Sequence, residues 1–162
     1  MKTLFIKSAR KIIQNKEELE IKLKVKIEVK GTNLSISGSE IDEYFAERVL
    51  RALDFPFLLD DALILVNEDY LFEVLNIKDH TYRKDLNVIK GRLIGTKGKT
   101  LRVLKELSNC EIAVKDNRVA IIGKAESIKE AEQAVISMIQ GSKQGNVYSY
   151  LEKLNKRKKG FI

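Results

Sequence analysis

Two glycines separated by two residues, Gly95 and Gly98, are the positions where this sequence could do the most specific chemistry. Glycine carries no Cβ, so the backbone there can approach a bulky ligand closely and can adopt conformations that other residues avoid. Thr96 and Lys97 lie between the glycines and Lys99 follows them, which supplies one hydroxyl and two ammonium groups. These groups suit sugar and phosphate oxygens. The spacing therefore indicates a site for a phosphate-bearing ligand.

Apolar residues on either side of the glycines predict the helices that must hold them. Leu93-Ile94 ends one apolar stripe, and leucines at helical spacing, beginning with Leu101, start another. The second helix would direct free N–H groups and the positive end of its dipole at the loop, which favours a phosphate. A Gly-x-x-Gly loop between two such helices is typical of the KH module, which clamps the backbone of about four nucleotides. Ile94 and Leu101, with Ile112 or Val114, are then expected to line the groove for the bases.

Positive charge is concentrated around this loop. The net charge is +7; residues 1–81 carry 12 basic and 15 acidic side chains, whereas residues 82–162 carry 18 and 8. From Arg83 to Lys105, eight basic residues accompany a single acid, Asp85. A salt-bridged surface helix would interleave acids, so the pattern favours a polyanionic partner. The basic tail Lys156–Lys159 fits two interpretations equally, a frayed charged terminus or an added phosphate contact.

Length and composition limit the classes of protein to which this chain can belong. A chain of 162 residues with 44% hydrophobic content can fold as one domain or two small ones. No apolar run approaches the roughly 18 residues of a membrane span, and the N-terminal apolar segment is too short for a signal peptide. The single cysteine, Cys110, excludes an internal disulfide and fits a reducing cytoplasm. We expect a cytoplasmic monomer with no membrane partner.

An internal repeat organises the chain. Alternating apolar residues predict strands over 25–29 and 34–37, followed by a helix over about 40–53. The same pattern recurs 85 positions later without a gap, so Val25 aligns with Cys110. The apolar side of the first helix is expected to contain Ile41, Phe45, Val49 and Leu53. A repeated strand–strand–helix unit indicates two copies of one domain.

The repeat predicts an α+β fold of two tandem type I KH-like domains, each a three-stranded antiparallel sheet covered on one face by helices. The predicted segments are a first domain over 1–67 that includes a short connecting helix, a second over 68–141, and a C-terminal basic helix or tail over 142–162. The offset aligns the Gly-x-x-Gly loop with Arg10–Ile13, where β-branched side chains replace the glycines. We therefore expect a degenerate first domain that keeps the scaffold without the clamp.

Signals for catalysis are weak. Gly98-Lys99-Thr100 resembles the end of a P-loop, yet Leu93 occupies the position of that motif's first glycine. His80 is the only histidine, so neither a histidine relay nor a two-histidine metal site can form. We predict no enzyme activity, no catalytic residue, no cofactor and no metal, and we interpret Cys110 as a small core residue. A small nucleotide-binding enzyme remains as an alternative based on the P-loop resemblance alone.

The chain resembles the archaeal members of the Dim/partner-of-Nob family of KH proteins over nearly its whole length. The resemblance is strongest in residues 89–100, 119–123 and 141–153, the last of which is similar to the family's Gly-x-x-x-Gly-x-Val-Tyr-x-x-Leu-Glu ending. It implies a factor for small-subunit rRNA processing and ribosome assembly, whose second KH domain binds single-stranded RNA near the 3′ end of small-subunit rRNA. It also implies the rRNA-maturing endonuclease and other small-subunit assembly or translation factors as partners.

The resemblance makes Gly95–Gly98 the RNA-clamping loop, with Arg92 and Lys99 at its edges. Archaeal relatives often retain a Gly-x-x-Gly in the first domain, and Arg10–Ile13 depart from that pattern. The predicted RNA-binding set is Arg92, Ile94, Gly95, Thr96, Lys97, Gly98, Lys99, Leu101 and Arg102. The alternative function is a protein-interaction scaffold, in which the KH folds mainly recruit a partner and bind RNA nonspecifically.

Overall fold

The computed structural model describes residues 1–160, so the last two residues of the predicted C-terminal segment lie outside the described residues. The chain divides into two compact units, one over Met1–Phe72 and one from Glu73 onward. The model contains two three-stranded sheets. The α+β class with two sheets is therefore confirmed. No helix in this part of the chain is long and apolar enough to cross a membrane.

The first sheet belongs to the first unit and has the strand order β1-β3-β2, with both pairs antiparallel. In chain order the elements are β1 (Lys2–Phe5), α1 (Arg10–Gln14), α2 (Lys16–Leu23), β2 (Lys26–Lys30), β3 (Asn33–Ser37), α3 (Glu40–Ala52) and α4 (Leu59–Leu63), followed by a 3₁₀ turn (Ile64–Val66). The N-cap of α3 is Ser39, whose Oγ accepts a hydrogen bond from the Asp42 N–H at 3.2 Å. The short helix predicted after Pro56 is α4.

The second sheet has the order β4-β6-β5. Its elements and the helices around it are β4 (Tyr70–Asn76), a 3₁₀ turn (Ile77–His80), α5 (Leu86–Ile94), α6 (Lys99–Ser108), β5 (Glu111–Lys115), β6 (Arg118–Lys124), α7 (Ala125–Ile139) and α8 (Gln144–Gly160). Asp85 caps α5 by accepting from the Asn87 N–H at 3.1 Å. The C-terminal helix predicted from about Val147 begins earlier, at Gln144, and it includes the basic tail.

The offset of the repeat is confirmed in the strands and in the helix that follows them. The strands β2 and β3 begin at Lys26 and Asn33, and their counterparts β5 and β6 begin at the aligned positions Glu111 and Arg118. The first residues of α3 and α7 are also aligned. The strand register repeats as well, because Ile27 pairs with Ile36 just as Ile112 pairs with Ile121, and all four residues are buried. The two sheets therefore use the same positions of the repeat for their cores.

A close approach at a glycine also recurs in both units. A Cβ on Gly38 would lie 2.9 Å from Val25 Cγ1 and 3.0 Å from the Lys24 carbonyl oxygen, and a Cβ on Gly123 would collide with Cys110 Sγ. Val25 and Cys110 are both buried. The interpretation of Cys110 as a small core residue is confirmed, and burial raises the pKa of its thiol to about 11.

Ile41 is the exception in the predicted apolar face of α3. Its side chain is 66% exposed, so placing it on the buried side is wrong. In that first turn it is Glu43 that turns inward, where its carboxylate accepts from the Gly38 N–H at 3.1 Å and pairs with the Met1 amino group at 3.2 Å. The hydrogen bond from Gly38 is the main cause that lowers the pKa of Glu43. A buried, satisfied carboxylate is a feature that apolar periodicity does not report.

The two units differ at the joint between their first two helices. Arg10–Ile13 lie in helix α1, and Asn15 alone separates α1 from α2. Asn15 Nδ2 donates to the Lys11 carbonyl oxygen at 2.8 Å, which stabilises this tight joint. The alignment of the Gly-x-x-Gly loop with Arg10–Ile13 therefore fails locally, because the first unit has a helix there.

Candidate nucleic-acid interface

The Gly95–Gly98 loop connects α5 to α6 through a single tight turn. The Gly95 N–H donates to the Gly91 carbonyl oxygen at 2.8 Å, and Gly95 then leaves the helix with φ +76° and ψ 172°. The Gly98 N–H donates back to the Gly95 carbonyl oxygen at 3.1 Å. Lys97 and Gly98 are left-handed, with φ of +54° and +75°. The turn therefore delivers the chain directly to the first turn of α6.

The two glycines are required for different reasons. A Cβ on Gly95 would collide with the Thr100 side chain and would lie 2.7 Å from the Thr100 backbone nitrogen. A Cβ on Gly98 would meet nothing within 4 Å. Gly95 is thus needed for both conformation and space, whereas Gly98 is needed for conformation alone and leaves its surface open to a ligand.

Lys97 is held in a conformation that is unfavourable for a side-chain-bearing residue. A left-handed backbone costs about 1–2 kcal/mol for a residue other than glycine. Arg102 Nη2 donates to the Lys97 carbonyl oxygen at 3.3 Å, which supports the turn from α6. Strained residues of this kind tend to occur at binding sites, where the surrounding structure holds them in place.

The positive charge around the loop is largely unneutralised. Of the eight basic residues between Arg83 and Lys105, Lys105 pairs with Glu111 at 3.0 Å. The other seven form no ion pair with an acidic side chain in the described part of the chain. The first turn of α6 also contains no acidic residue. The helix dipole and the free cations therefore act together to favour an anion at the loop.

Four of the nine predicted RNA-binding residues line one cleft, and the other five do not. Arg92, Gly95, Thr96 and Lys99 line a cleft of about 580 Å³. The predicted residues that are not among those lining the cleft are Ile94, Lys97, Gly98, Leu101 and Arg102.

The apolar residues predicted for the base groove differ in how much surface they expose. Ile94 is 37% exposed, and Leu101 and Val114 are half-buried. Ile112 is only 3% exposed, so of the two strand residues proposed for the groove, Val114 is the one with surface to offer. Alternation places both residues on the same face of β5.

Helix α8 contributes residues that sequence reasoning did not assign to the site. Gln144 Nε2 donates to Thr100 Oγ1 at 2.5 Å, and Arg92 Nη2 donates to the Ser142 carbonyl oxygen at 3.1 Å. Tyr148, one turn further along α8, also lines the cleft. The Gly-x-x-x-Gly-x-Val-Tyr pattern is the signal in the sequence that contains Tyr148, and it indicates a family without locating a surface.

Two observations bear on the alternative of a small nucleotide-binding enzyme. Among residues 1–160, no group of three or more His, Cys, Asp or Glu side chains could hold a metal ion. Leu93, at the position of the first P-loop glycine, is 1% exposed and belongs to the core under α5. A P-loop needs glycine there because its backbone must wrap the phosphates.

Comparison with known proteins finds relatives that match most of the chain. A family model for the second KH domain of PNO1, described as a eukaryotic-type KH domain (KH-domain type I), matches residues 71–156. The chain is 31% identical over 142 residues to a KH domain-containing protein of Methanocaldococcus jannaschii, covering 84% of this chain and 62% of the relative. It is 28% identical over 150 residues to the pre-rRNA-processing protein pno1 of Emericella nidulans, covering 88% and 58%. The chain thus spans about three fifths of the length of these curated relatives.

Solved structures with the same fold cover almost the whole chain. Dim2p from Pyrococcus horikoshii OT3 is 29% identical with a TM-score of 0.85, covering 94% of this chain and 98% of that one. A chain of the a/eIF2alpha–aDim2p–rRNA complex from the same organism is also 29% identical, with a TM-score of 0.87 and coverage of 96% and 94%. The resemblance found in the sequence is confirmed, and the chain belongs to the PNO1/Dim2 family of KH-domain proteins.

Proposed function

We propose that this chain binds single-stranded RNA through the Gly95–Gly98 loop of its second unit and acts in small-subunit rRNA processing near the 3′ end of that RNA. The observation that carries the proposal is the loop itself, where a left-handed Lys97 and two positive-φ glycines precede a helix whose first residue is the unpaired Lys99. Two relatives support a role that involves rRNA. One is named a pre-rRNA-processing protein, and another has been solved in a complex with rRNA.

The role we assign is placement of the RNA without catalysis. Phosphates would be anchored at the open face of Gly98 and by the ammonium groups of Lys97 and Lys99. Unstacked bases would lie against the exposed Ile94 and the half-buried Leu101. Because each phosphate contact releases counterions, affinity should fall steeply as the salt concentration rises.

The experiment that tests this proposal is fluorescence anisotropy on a short RNA that matches the 3′ region of small-subunit rRNA, with a scrambled RNA as the control. The informative variants are Gly98→Asn and Gly98→Asp. Both residues tolerate the left-handed conformation, and neither meets an obstacle at this position. They differ in charge, so the comparison isolates electrostatic repulsion from backbone strain.

We expect wild type to prefer the matching RNA, Gly98→Asn to keep most of its affinity, and Gly98→Asp to lose about tenfold or more, which corresponds to about 1.4 kcal/mol. The loss should shrink at high salt, where the repulsion is screened. Equal binding by the Asn and Asp variants at low salt would contradict the assignment of the site. Equal binding of matching and scrambled RNA would contradict the role at the 3′ region.

A second candidate, recruitment of a protein by the first unit, rests on exposed apolar residues of α1 and α2. Ile13 and Ile21 are 59% and 77% exposed, and Glu17 and Glu18 lie in the first turn of α2 between them. A relative has been solved with the α subunit of an initiation factor as well as rRNA. Changing Ile13 and Ile21 to Ser should weaken binding of such a translation or assembly factor while leaving RNA affinity intact. Unchanged partner affinity would remove this candidate.

A further inference from the structure

The cleft beside the loop is a space distinct from the groove in which the bases are expected to lie. Its walls come from α5, α6, α7 and α8, and its volume of about 580 Å³ falls in the usual range for small-ligand sites. On α6 it is lined by Lys99, Thr100 and Val103. At about 100° per residue, Leu101 and Lys105 fall on nearly the opposite side of that helix. Lys105 pairs there with Glu111 of β5. The cleft and the groove therefore lie on different sides of α6 and meet at the loop.

The cleft carries positive charge that the protein does not neutralise. Arg92 and Lys99 line it, and none of the described residues that line it is acidic. The hydrogen bond from Arg92 Nη2 to the Ser142 carbonyl oxygen fixes the guanidinium while using one of its five N–H groups. The remaining donors suit a phosphate group.

The opposite wall of the cleft can accommodate a base. Tyr148 is half-buried and presents a ring of the kind on which bases stack. Gln144 donates through Nε2 to Thr100 Oγ1, and its Oε1 accepts no hydrogen bond from the described residues. That oxygen is available to an exocyclic amino group, which adenine, cytosine and guanine carry and uracil lacks.

We infer that this cleft is a second nucleotide subsite, which takes a nucleotide of the bound RNA strand just beyond those clamped by the loop. The phosphate lies at Arg92 and Lys99, the base lies on Tyr148, and Gln144 Oε1 favours a base with an amino group over uracil. This inference rests on the proposed function, because the strand reaches the cleft only by passing the Gly95–Gly98 loop.

Gly91 provides a way to block the cleft without disturbing the fold. It is helical, lines the cleft, and an added Cβ would meet nothing within 4 Å. Gly91→Glu fills the space with a negative charge, and Gly91→Gln fills it with a neutral side chain of the same size. Gly145→Glu is the matched control, since Gly145 is another unobstructed helical glycine and is not among the residues that line the cleft.

The measurement is the change in Kd when an RNA of about four nucleotides, the length that the loop clamps, is extended by about two nucleotides at either end in turn. Extension at one end should strengthen binding to wild type and Gly145→Glu by about tenfold, as one stacked base would. Gly91→Glu should abolish that gain and Gly91→Gln should reduce it, with the gain of each variant measured relative to its own Kd for the shorter RNA, because Lys99 also serves the loop. The gain should be larger for cytosine than for uracil, since these two pyrimidines have the same ring size and only cytosine carries the amino group, and Gln144→Leu should remove that preference.

The outcomes separate this inference from the function on which it rests. If Gly91→Glu retains the full gain on extension, the cleft is not a subsite, although the loop proposal stands. If extension strengthens binding at neither end, the inference is likewise overturned. If the shorter RNA binds the Gly98→Asn and Gly98→Asp variants alike, it is the loop proposal that fails.

Discussion

The joint at Asn15 in the first unit and the loop at Gly95–Gly98 in the second stand between the same two helices of one repeated scaffold. Lys24 and Asn109 follow the second helix of their units, are aligned by the repeat, and are both left-handed. Gly31 and Asp116, in the hairpin turns of the two units, are likewise aligned and left-handed. No left-handed residue occurs at the first joint, where Asn15 has φ −116°. The backbone constraints of the scaffold are thus shared by both units, whereas those of the loop belong to one. The comparison shows that the fold does not require the loop.

The largest effect that tests the difference between the loop and the shared scaffold is expected at Gly95. Gly95→Ala should destabilise the second unit by about 3 kcal/mol, because the combination of φ +76° and ψ 172° is open to glycine and costs another residue about 1–3 kcal/mol, and the contact with Thr100 adds overpacking. Gly98→Ala has a similar φ without the obstruction and should cost only about 1–2 kcal/mol. Denaturant unfolding followed by circular dichroism measures both. Equal losses would show that space at Gly95 is unimportant.

The next effect concerns the glycine contacts that the two units share. Gly38→Ala and Gly123→Ala should each cost about 2 kcal/mol by overpacking against Val25 and Cys110. Adding Cys110→Ala should restore most of the loss at Gly123, since the obstruction there is a side chain. Adding Val25→Ala should restore less at Gly38, where the Lys24 carbonyl oxygen is also close. A double-mutant cycle in each unit provides the measurement, and equal rescue in both would contradict this interpretation of the contacts.

Two left-handed lysines offer a smaller but sharper test. Lys24 and Lys97 have φ of +58° and +54°, so Lys24→Gly and Lys97→Gly should each raise the free energy of unfolding by roughly 1 kcal/mol. Lys97→Gly should also weaken RNA binding about threefold and lower the salt dependence by one phosphate contact, as expected for one exposed charge. Lys24→Gly should leave the Kd unchanged. Equal Kd values for the two variants would mean that Lys97 does not contact the RNA.

The smallest effect at neutral pH lies at Cys110. Its pKa is raised to about 11 by burial, while an unfolded thiol titrates near 9, so folding favours the protonated form. The stabilisation is fully present below pH 9 and is lost as the pH rises towards 11. Cys110→Val copies the residue at the aligned position of the first unit and should remove this part of the alkaline decline in stability. Unfolding curves between about pH 8 and 11 measure it, and an unchanged decline would assign the effect to other groups.

Periodicity predicted the repeated strands and the helix after them because their buried faces alternate regularly, as at Ile27 and Ile112. It failed at Ile41, because a single buried carboxylate, Glu43, took the inward position. The gapless alignment of the repeat failed at Arg10–Ile13, because such an alignment cannot show that one asparagine has replaced a Gly-x-x-Gly loop. Local helix geometry decides such a joint, and the offset of the repeat carries no information about it.

The loop itself could be predicted because glycine spacing and charge are written directly in the sequence. The cleft could not, because Gln144 and Tyr148 reach it from a helix that lies far along the chain from the loop. Contacts of this separation depend on how α8 packs on α6, and one sequence does not report that packing. The pattern containing Tyr148 indicated a family without indicating a surface.

The shared glycine contacts also limit the order in which these positions can change over evolutionary time. At one member of the pair, the two units already differ, with valine in one and cysteine in the other, whereas glycine stands at the second member in both. Any larger residue at Gly123 becomes tolerable only after Cys110 has been reduced in size, and the reverse order passes through a destabilised intermediate. At Gly38 the nearby carbonyl oxygen closes even that route. Duplicated domains can therefore diverge freely at their loops while such pairs change, if at all, in one permitted order.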